Sequence, residues 1–253
     1  MSKLSKSGRS PKTELGRERI VIEALALIDE KGLSSLSMRT LASRLSVYPS
    51  AIYWYVQSRS GLLAAIVEHV LADILPDAEE LDWQAWVFTL MQSYRSAVMR
   101  HPNIAPLLGA DLASNLGVDI NVVDKLLRVL EKAGFSGDSL MNAYNSVMAG
   151  MIGFVTLELS ATPADEQWVI DLRSRFSQAD PERFPTIARL AGEMGNRAFV
   201  IRWVSGKSAP LDAAFESFGD ALILGLKAQL GETDHYTARA ASTSKRRTKR
   251  DKA

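Results

Sequence analysis

Residues 36–59 read LSMRTLASRLSVYPSAIYWYVQSR, and their apolar spacing sets two short helices against each other across a tight turn. Ser37 is placed to cap the first helix, in which Met38, Leu41, Ala42 and Leu45 share one face while Arg39, Thr40, Ser43 and Arg44 are left for solvent or phosphate. The turn falls at Ser46-Val47. Pro49, a residue favoured in a first helical turn, opens the second helix and holds Tyr48 extended at its entrance. The pattern is that of a helix-turn-helix.

In the second helix Ile52 and Val56 point one way, and Tyr53, Trp54 and Tyr55 follow one another between them. A helix with one core-facing stripe cannot bury three successive aromatics, so some face outward. Two arrangements fit. Trp54 packs beneath the motif with the tyrosines flanking it, or the helix presents Tyr48, Ser50, Ala51, Tyr53 and Tyr55 to DNA. The second supplies hydroxyls for phosphate oxygens and apolar edges for thymine methyls, with no acidic residue to repel a polyanion.

At residues 41–63, LASRLSVYPSAIYWYVQSRSGLL, the chain resembles the tetracycline-repressor (TetR) family of one-component bacterial regulators: helix 2, turn, recognition helix 3 and the start of helix 4. The resemblance implies that Arg39 contacts DNA from helix 2 and that Tyr48, Pro49, Ser50 and Ala51 lie at or near base edges. It further implies that Tyr53, Trp54 and Tyr55 touch backbone or thymine, and that Arg59 holds a phosphate at the start of helix 4. The family usually has glycine where this chain has Ser46. Either the turn holds a strained serine or its geometry differs slightly.

Charge is unevenly placed along the 253 residues, whose formal net charge is only +1. Residues 1–60 carry ten Lys/Arg against five Asp/Glu, residues 238–253 carry seven against one, and residues 61–237 are left with a net charge of −10. A basic head on an acidic body suits a chain of which only the head touches a polyanion. Hydrophobic content of 47% and charged content of 23% are those of a folded chain with one large or two smaller domains. Absence of cysteine excludes disulfides and thiolate chemistry. The basic opening has no apolar run of the signal-peptide kind, and no stretch reads as apolar enough to span a membrane. A cytoplasmic location follows as the expectation, with the nucleoid as the site of action when DNA is bound. His69, His101 and His235 are scattered, and neither a glycine-rich phosphate loop nor a nucleophile elbow is present. No metal, cofactor or catalysis is therefore expected, although a site assembled from distant residues is open to any sequence.

The coarse organisation is all-α, because nothing alternates with a strand period for long. Residues 1–12 form a basic arm, and residues 13–60 the helix-turn-helix domain, with its first helix over 13–31 capped by Thr13 and stopped by Gly32. Residues 61–232 form a larger helical domain for ligand binding and dimerisation. Its connector is a long helix over 60–75, capped by Ser60 and ended by Pro76. Helices are expected over 83–100, 118–132, 138–160, 168–176, 185–191 and 212–230, with a loop at His101-Pro102 and Pro106. Residues 233–253 read as a basic, disordered tail that adds sequence-independent affinity for DNA.

The second half also resembles the ligand-binding domain of the tetracycline-repressor branch, at Trp83-Gln84, AGFSGDSL (133–140), DPERFP (180–185) and FESFGDALILGL (215–226). In that family the helices matching 138–160 and 212–230 pair with their copies in a four-helix dimer interface. Ser146, Ala149, Gly150, Gly153, Phe218, Ala221, Leu222 and Gly225 would then lie in it, unless these small residues serve close packing within one subunit. Leu75, Leu90 and Leu126 stand where tetracycline repressors carry drug-binding histidine, asparagine and glutamine, and no histidine falls in the loop after Pro106, where the family chelates its magnesium, so the resemblance implies that the drug-metal site is not reproduced. What remains is an apolar pocket lined by Trp86, Leu90, Met91, Tyr94, Leu126, Asn145, Met148 and Met151, each of which taken singly also suits plain core. The implied function is a ligand-responsive repressor, a homodimer on a palindromic DNA operator, released by a small apolar effector. The alternatives are an enzyme of unassigned class and an architectural DNA-coating protein.

Overall fold

Gly16, extended at φ −139°, gives way to α1 (Arg17–Lys31), and Gly32 at φ 80° ends it. The computed structural model describes residues 15–77, 81–109, 119–160, 166–199, 202, 204 and 206–231. Helix α1 starts after the expected residue 13; the proposed cap Thr13, the arm 1–12 and the tail 233–253 lie outside the described residues. A 3-10 turn, Leu33–Ser35, leads into α2 (Met38–Leu45). Ser37 Oγ accepts from the Thr40 amide at 3.1 Å and the Ser37 amide donates to Thr40 Oγ1 at 2.9 Å, so a threonine completes a reciprocal cap. Helix α3 (Pro49–Tyr53) is little more than one turn.

Helix α4 (Arg59–Val70) is capped by Ser58, whose Oγ accepts from the Gly61 amide at 3.0 Å, and not by Ser60 as the sequence suggested. Serines two apart both fit the cap signature, and the extended backbone of Ser58 (φ −151°) decides between them. The helix also stops at Val70, short of residue 75; the chain turns through 71–73 ahead of Pro76, while Ile74 still reaches the core. Helix α5 (Trp83–Arg100) has the expected bounds, with Asp82 as its cap. The loop expected at 101–106 is instead a 3-10 turn, Pro102–Ile104, running into α6 (Ala105–Gly109), because both prolines occupy first-turn positions that need no amide donor. Then come α7 (Ile120–Ala133), α8 (Gly137–Glu158), α9 (Glu166–Ser177), α10 (Pro185–Met194) and α11 (Asp212–Gly231). Gly134, at φ 113°, stops α7, and α11 includes Gly231, one residue beyond the expected 230. Among the described residues there is no strand.

Ile20, Ala24, Leu27 and Ile28 of α1 are buried together with Leu41, Ile52 and Ile66; α1 packs on α2 and α4, and α3 rests on α2. In the larger body α8 packs against α5, α6, α7 and α11. Helix α8 corrects one expectation: by length and mean hydropathy (1.2 over its most apolar window) it is apolar enough to cross a membrane. Its alanines, methionines and larger aliphatic residues raise the index while the helix makes contacts with four others.

Two polar arrangements fix the body, and neither was visible in the sequence. Glu158 is fully buried; Arg95 donates to its two oxygens at 2.8 and 2.7 Å, and the Leu211 amide donates to Oε1 at 2.7 Å. Arg95 also pairs with Asp212 at 2.7 Å and lies 4.9 Å from the Phe215 ring centre, tying α5, α8 and α11 at one point. At the junction of head and body, Asn103 Nδ2 donates to the Ile28 and Asp29 carbonyls at 2.9 and 3.1 Å, closing the C-terminal end of α1, and His101 Nδ1 lies 2.7 Å from Asp29 Oδ2.

Candidate nucleic-acid interface and effector cavity

Ser46 adopts the left-handed conformation, φ 57° and ψ 42°, so the chain holds a strained serine where glycine would be at ease. The turn it makes aims α3 outward. Ile52 and Val56 are buried, while Tyr48 is 82% exposed, Tyr53 47%, Trp54 88% and Tyr55 45%. The arrangement with Trp54 beneath the motif is therefore overturned: α3 is too short to carry a second inward row, and Ile52 and Val56 already fill the first. Arg39, Pro49 and Ser50 are exposed and Ala51 is half-buried on this surface. Arg59 is the first residue of α4, exposed, with Nε 3.4 Å from the Leu36 carbonyl at the entrance to α2.

Arg44 is engaged elsewhere. Its guanidinium donates to Glu23 at 2.9 Å and to both oxygens of Glu30 at 2.8 and 2.7 Å, fastening α2 to α1. These bonds raise the Arg44 pKa and hold the Glu30 carboxyl below its ordinary range. The basic side chains on the motif thus divide into one that positions the recognition element and two, Arg39 and Arg59, that stand on its outer face.

Between α4, α5, α7 and α8 lies a cavity of about 40 Å³. Tyr94, Met148 and Met151, three of the expected pocket residues, line it together with Glu68, Leu71 and Ile74 of the α4 segment and with Asp119, Val122, Val123 and Ile152. Leu90, Met91 and Leu126 are fully buried and are not among its walls; they are core. Asn145 is exposed on α8, off the face that carries the inward Val147 and Met151, and does not line this cavity. Trp86 borders a separate, more open depression of about 550 Å³ with Trp83, Lys125 and Lys132. Sequence reasoning missed Glu68 and Asp119, because a charged residue near a helix end reads as surface. The Tyr94 side chain is 2% exposed and its hydroxyl has no hydrogen-bond partner; burial pushes its pKa up. An unpaired buried hydroxyl costs about 1–3 kcal/mol, which a ligand with a matching group would recover. At about 10–15 Å³ of such volume per water the cavity admits a few waters, so a larger occupant must push a wall outward. One of those walls is α4, which carries the helix-turn-helix. Among the described residues no three potential metal-ligating side chains gather.

Helices α8 and α11 lie side by side, with Phe218 stacked on Phe154 at 5.4 Å. A Cβ on Gly150 would come within 2.6 Å of the Phe218 ring, so Gly150 serves this contact within the subunit. Among the described residues nothing approaches a Cβ on Gly153 or Gly225, and Ala149 and Ala221 are exposed. Ser146 and Leu222 are half-buried, the serine hydroxyl donating back to the Asn142 carbonyl.

Comparison with known proteins agrees with this geometry at both ends of the chain. The family described as "Bacterial regulatory proteins, tetR family" matches residues 20–66, and "Tetracyclin repressor-like, C-terminal domain" matches residues 75–230. The chain is 30% identical over 157 residues to the tetracycline repressor protein class A from transposon 1721 of Escherichia coli, covering 60% of this chain and 71% of the relative. Apo ActR from Streptomyces coelicolor superposes with a TM-score of 0.67 at 25% identity, over 89% of this chain and 99% of that one. BioQ, solved with its natural double-stranded DNA operator, superposes with a TM-score of 0.53 at 29% identity, over 63% and 94%. With a matching motif at the head and a matching domain over most of the remainder, the chain belongs to the tetracycline-repressor (TetR) family of bacterial regulatory proteins.

Proposed function

We propose that the chain is a ligand-responsive transcriptional repressor that binds a palindromic operator as a homodimer and is released by a small, largely apolar effector. The observation that carries this reading is the outward α3, with Tyr48 and Trp54 almost fully exposed beside Arg39 and Arg59. Solvent-facing aromatics of this size cost hydrophobic free energy unless a partner covers them, and a major groove offers thymine methyls and phosphates at this spacing. BioQ, a relative in fold and sequence, is solved on an operator.

The head spans residues 13–60 and the body 61–232 in this reading, with the boundary inside α4, between an arm at 1–12 and a tail at 233–253 that add basic charge. Two-fold operators call for a two-fold protein, and the open side of α8 and α11 around Ala149, Gly153, Ala221 and Gly225 is the surface offered to the second copy. Recognition helices of such a dimer must sit about 34–36 Å apart to enter successive major grooves. An effector that widens the cavity displaces α4 and changes that separation. For a near-complete swing it must prefer the non-binding state by about 5.5 kcal/mol. No catalytic step is assigned, and the place of action is the cytoplasm, at the nucleoid when operator is bound.

Footprinting over the neighbouring promoter region tests the reading. A protected inverted repeat at moderate salt is expected. Arg59→Ala should weaken binding and lower the salt slope by about one, the share of one phosphate contact. Protection without two-fold symmetry, or none, refutes it.

A further inference from the structure

The cavity is apolar in most of its walls and acidic at two points. Glu68 of α4 and Asp119 at the entrance to α7 are its charged lining residues, with no Lys, Arg or His in the walls among the described residues. Tyr94 adds a hydroxyl that is buried and without a partner. Met148, Met151 and Ile74 supply the apolar surface.

Resting on the effector reading above, we propose that the effector carries a protonated amine on a compact apolar body. Carboxylates contributed by two different elements attract a cation and repel an anion. A neutral hydrocarbon gains nothing from either carboxylate and leaves the Tyr94 hydroxyl unpaired. An ammonium donates several hydrogen bonds, enough for the Tyr94 oxygen and a carboxylate together, and charge-assisted bonds are the stronger kind.

Glu68 also has a second connection. Its Oε2 accepts from Arg17, the first residue of α1, at 3.3 Å, in an ion pair exposed on both sides. Exposed pairs of this kind are weak, so an ammonium in the cavity can draw Glu68 from Arg17. The pair links the entry of α1 to α4, and its loss would loosen the head at the helix from which the basic arm extends. Asp119 spends its Oδ1 on the Asn121 amide and side chain as the cap of α7, which leaves Glu68 as the carboxylate whose partner an incoming cation can replace.

Three matched probes separate the charge states: 4-phenylbutylamine, 4-phenylbutan-1-ol and 4-phenylbutyrate, titrated at pH 7 into the full-length chain by calorimetry. The amine should bind at least tenfold tighter than the alcohol, and the acid more weakly than both. Glu68→Gln should bring amine and alcohol together while leaving alcohol affinity unchanged, and Tyr94→Phe should weaken the amine. Since Glu68 is exposed, that variant folds, and circular dichroism checks it. Met148→Trp should abolish binding of amine and alcohol alike, which locates them in this cavity. If the alcohol binds as tightly as the amine, the cationic class is overturned while the effector cavity stands; if the preference survives Glu68→Gln, the role given to Glu68 is overturned. If none of the three binds, both fall.

Discussion

Ser46 holds a backbone conformation that costs an ordinary side chain about 1–2 kcal/mol, in a turn that sets the direction of α3. Replacing it with glycine relieves the strain but gives the unfolded chain more freedom, an opposing effect of about 0.4–1 kcal/mol. Ser46→Gly should therefore move stability by less than about 1 kcal/mol in denaturant titration and leave operator affinity unchanged. Ser46→Val, β-branched in a left-handed turn, should destabilise by more than about 1 kcal/mol. Trp54 presents the opposite case. At 88% exposure it contributes little to the head's core, so Trp54→Ala should leave the melting temperature in place while operator binding falls. A loss of both together would mean that the ring supports the fold. The sequence made the crowding of Tyr53, Trp54 and Tyr55 legible but not its outcome, because three aromatics in a row say that some must face out and not which.

At the scale of elements, the boundaries that capping chemistry controls were legible and those set by distant contacts were not. Ser37 and Gly134 act where their types suggest, while Ser58 takes the role that Ser60 fits equally well on paper. Helical periodicity put Leu90, Met91 and Leu126 on inward stripes, yet it cannot say whether a neighbour or a void lies opposite; in the fold a neighbour does. The Arg95–Glu158 pair joins residues 63 apart in sequence and had no local signature. Removing one member of a buried pair strands the other, so Arg95→Met should cost about 3–5 kcal/mol in thermal or denaturant unfolding. Adding Glu158→Leu should recover only part of that, because the Leu211 amide loses its acceptor and Asp212 its partner. The Arg44 clamp between α1 and α2 predicts a pH dependence. The Glu30 carboxyl is held below its ordinary 4.5 in the folded state by the hydrogen bond from Arg44, so its stabilisation is present above that value and is lost as pH falls through the lowered one. Arg44→Gln should lower the melting temperature at pH 7, and the difference from the parent chain should close as the pH drops below 4.5. A difference that stays constant into acid would assign the clamp to packing alone.

For the whole molecule, the question is what covers α8 and α11. Glycine in a helix interior costs about 1 kcal/mol against alanine, and the chain carries Gly153 and Gly225 where nothing among the described residues requires the missing side chain. Gly150, by contrast, is explained within the subunit by the Phe218 ring. Helices presenting small residues beside one another allow a second pair to approach closely, so the cost at Gly153 and Gly225 is offset if that pair is the copy's α8 and α11. Gly153→Arg with Gly225→Arg separates the two accounts. Within one subunit both side chains extend into open space, and each replaces glycine by a good helix former, so the isolated chain should keep its helix content in circular dichroism and gain slightly in local helix stability. Across a two-fold axis the same arginines bring four like charges into one interface and hold the helices apart. Sedimentation should then give a monomer of 27.8 kDa, and binding to an inverted repeat should fall to that of a single head on a single half-site. A variant that still sediments as a dimer, with its helicity intact, would place the contact between copies on another face.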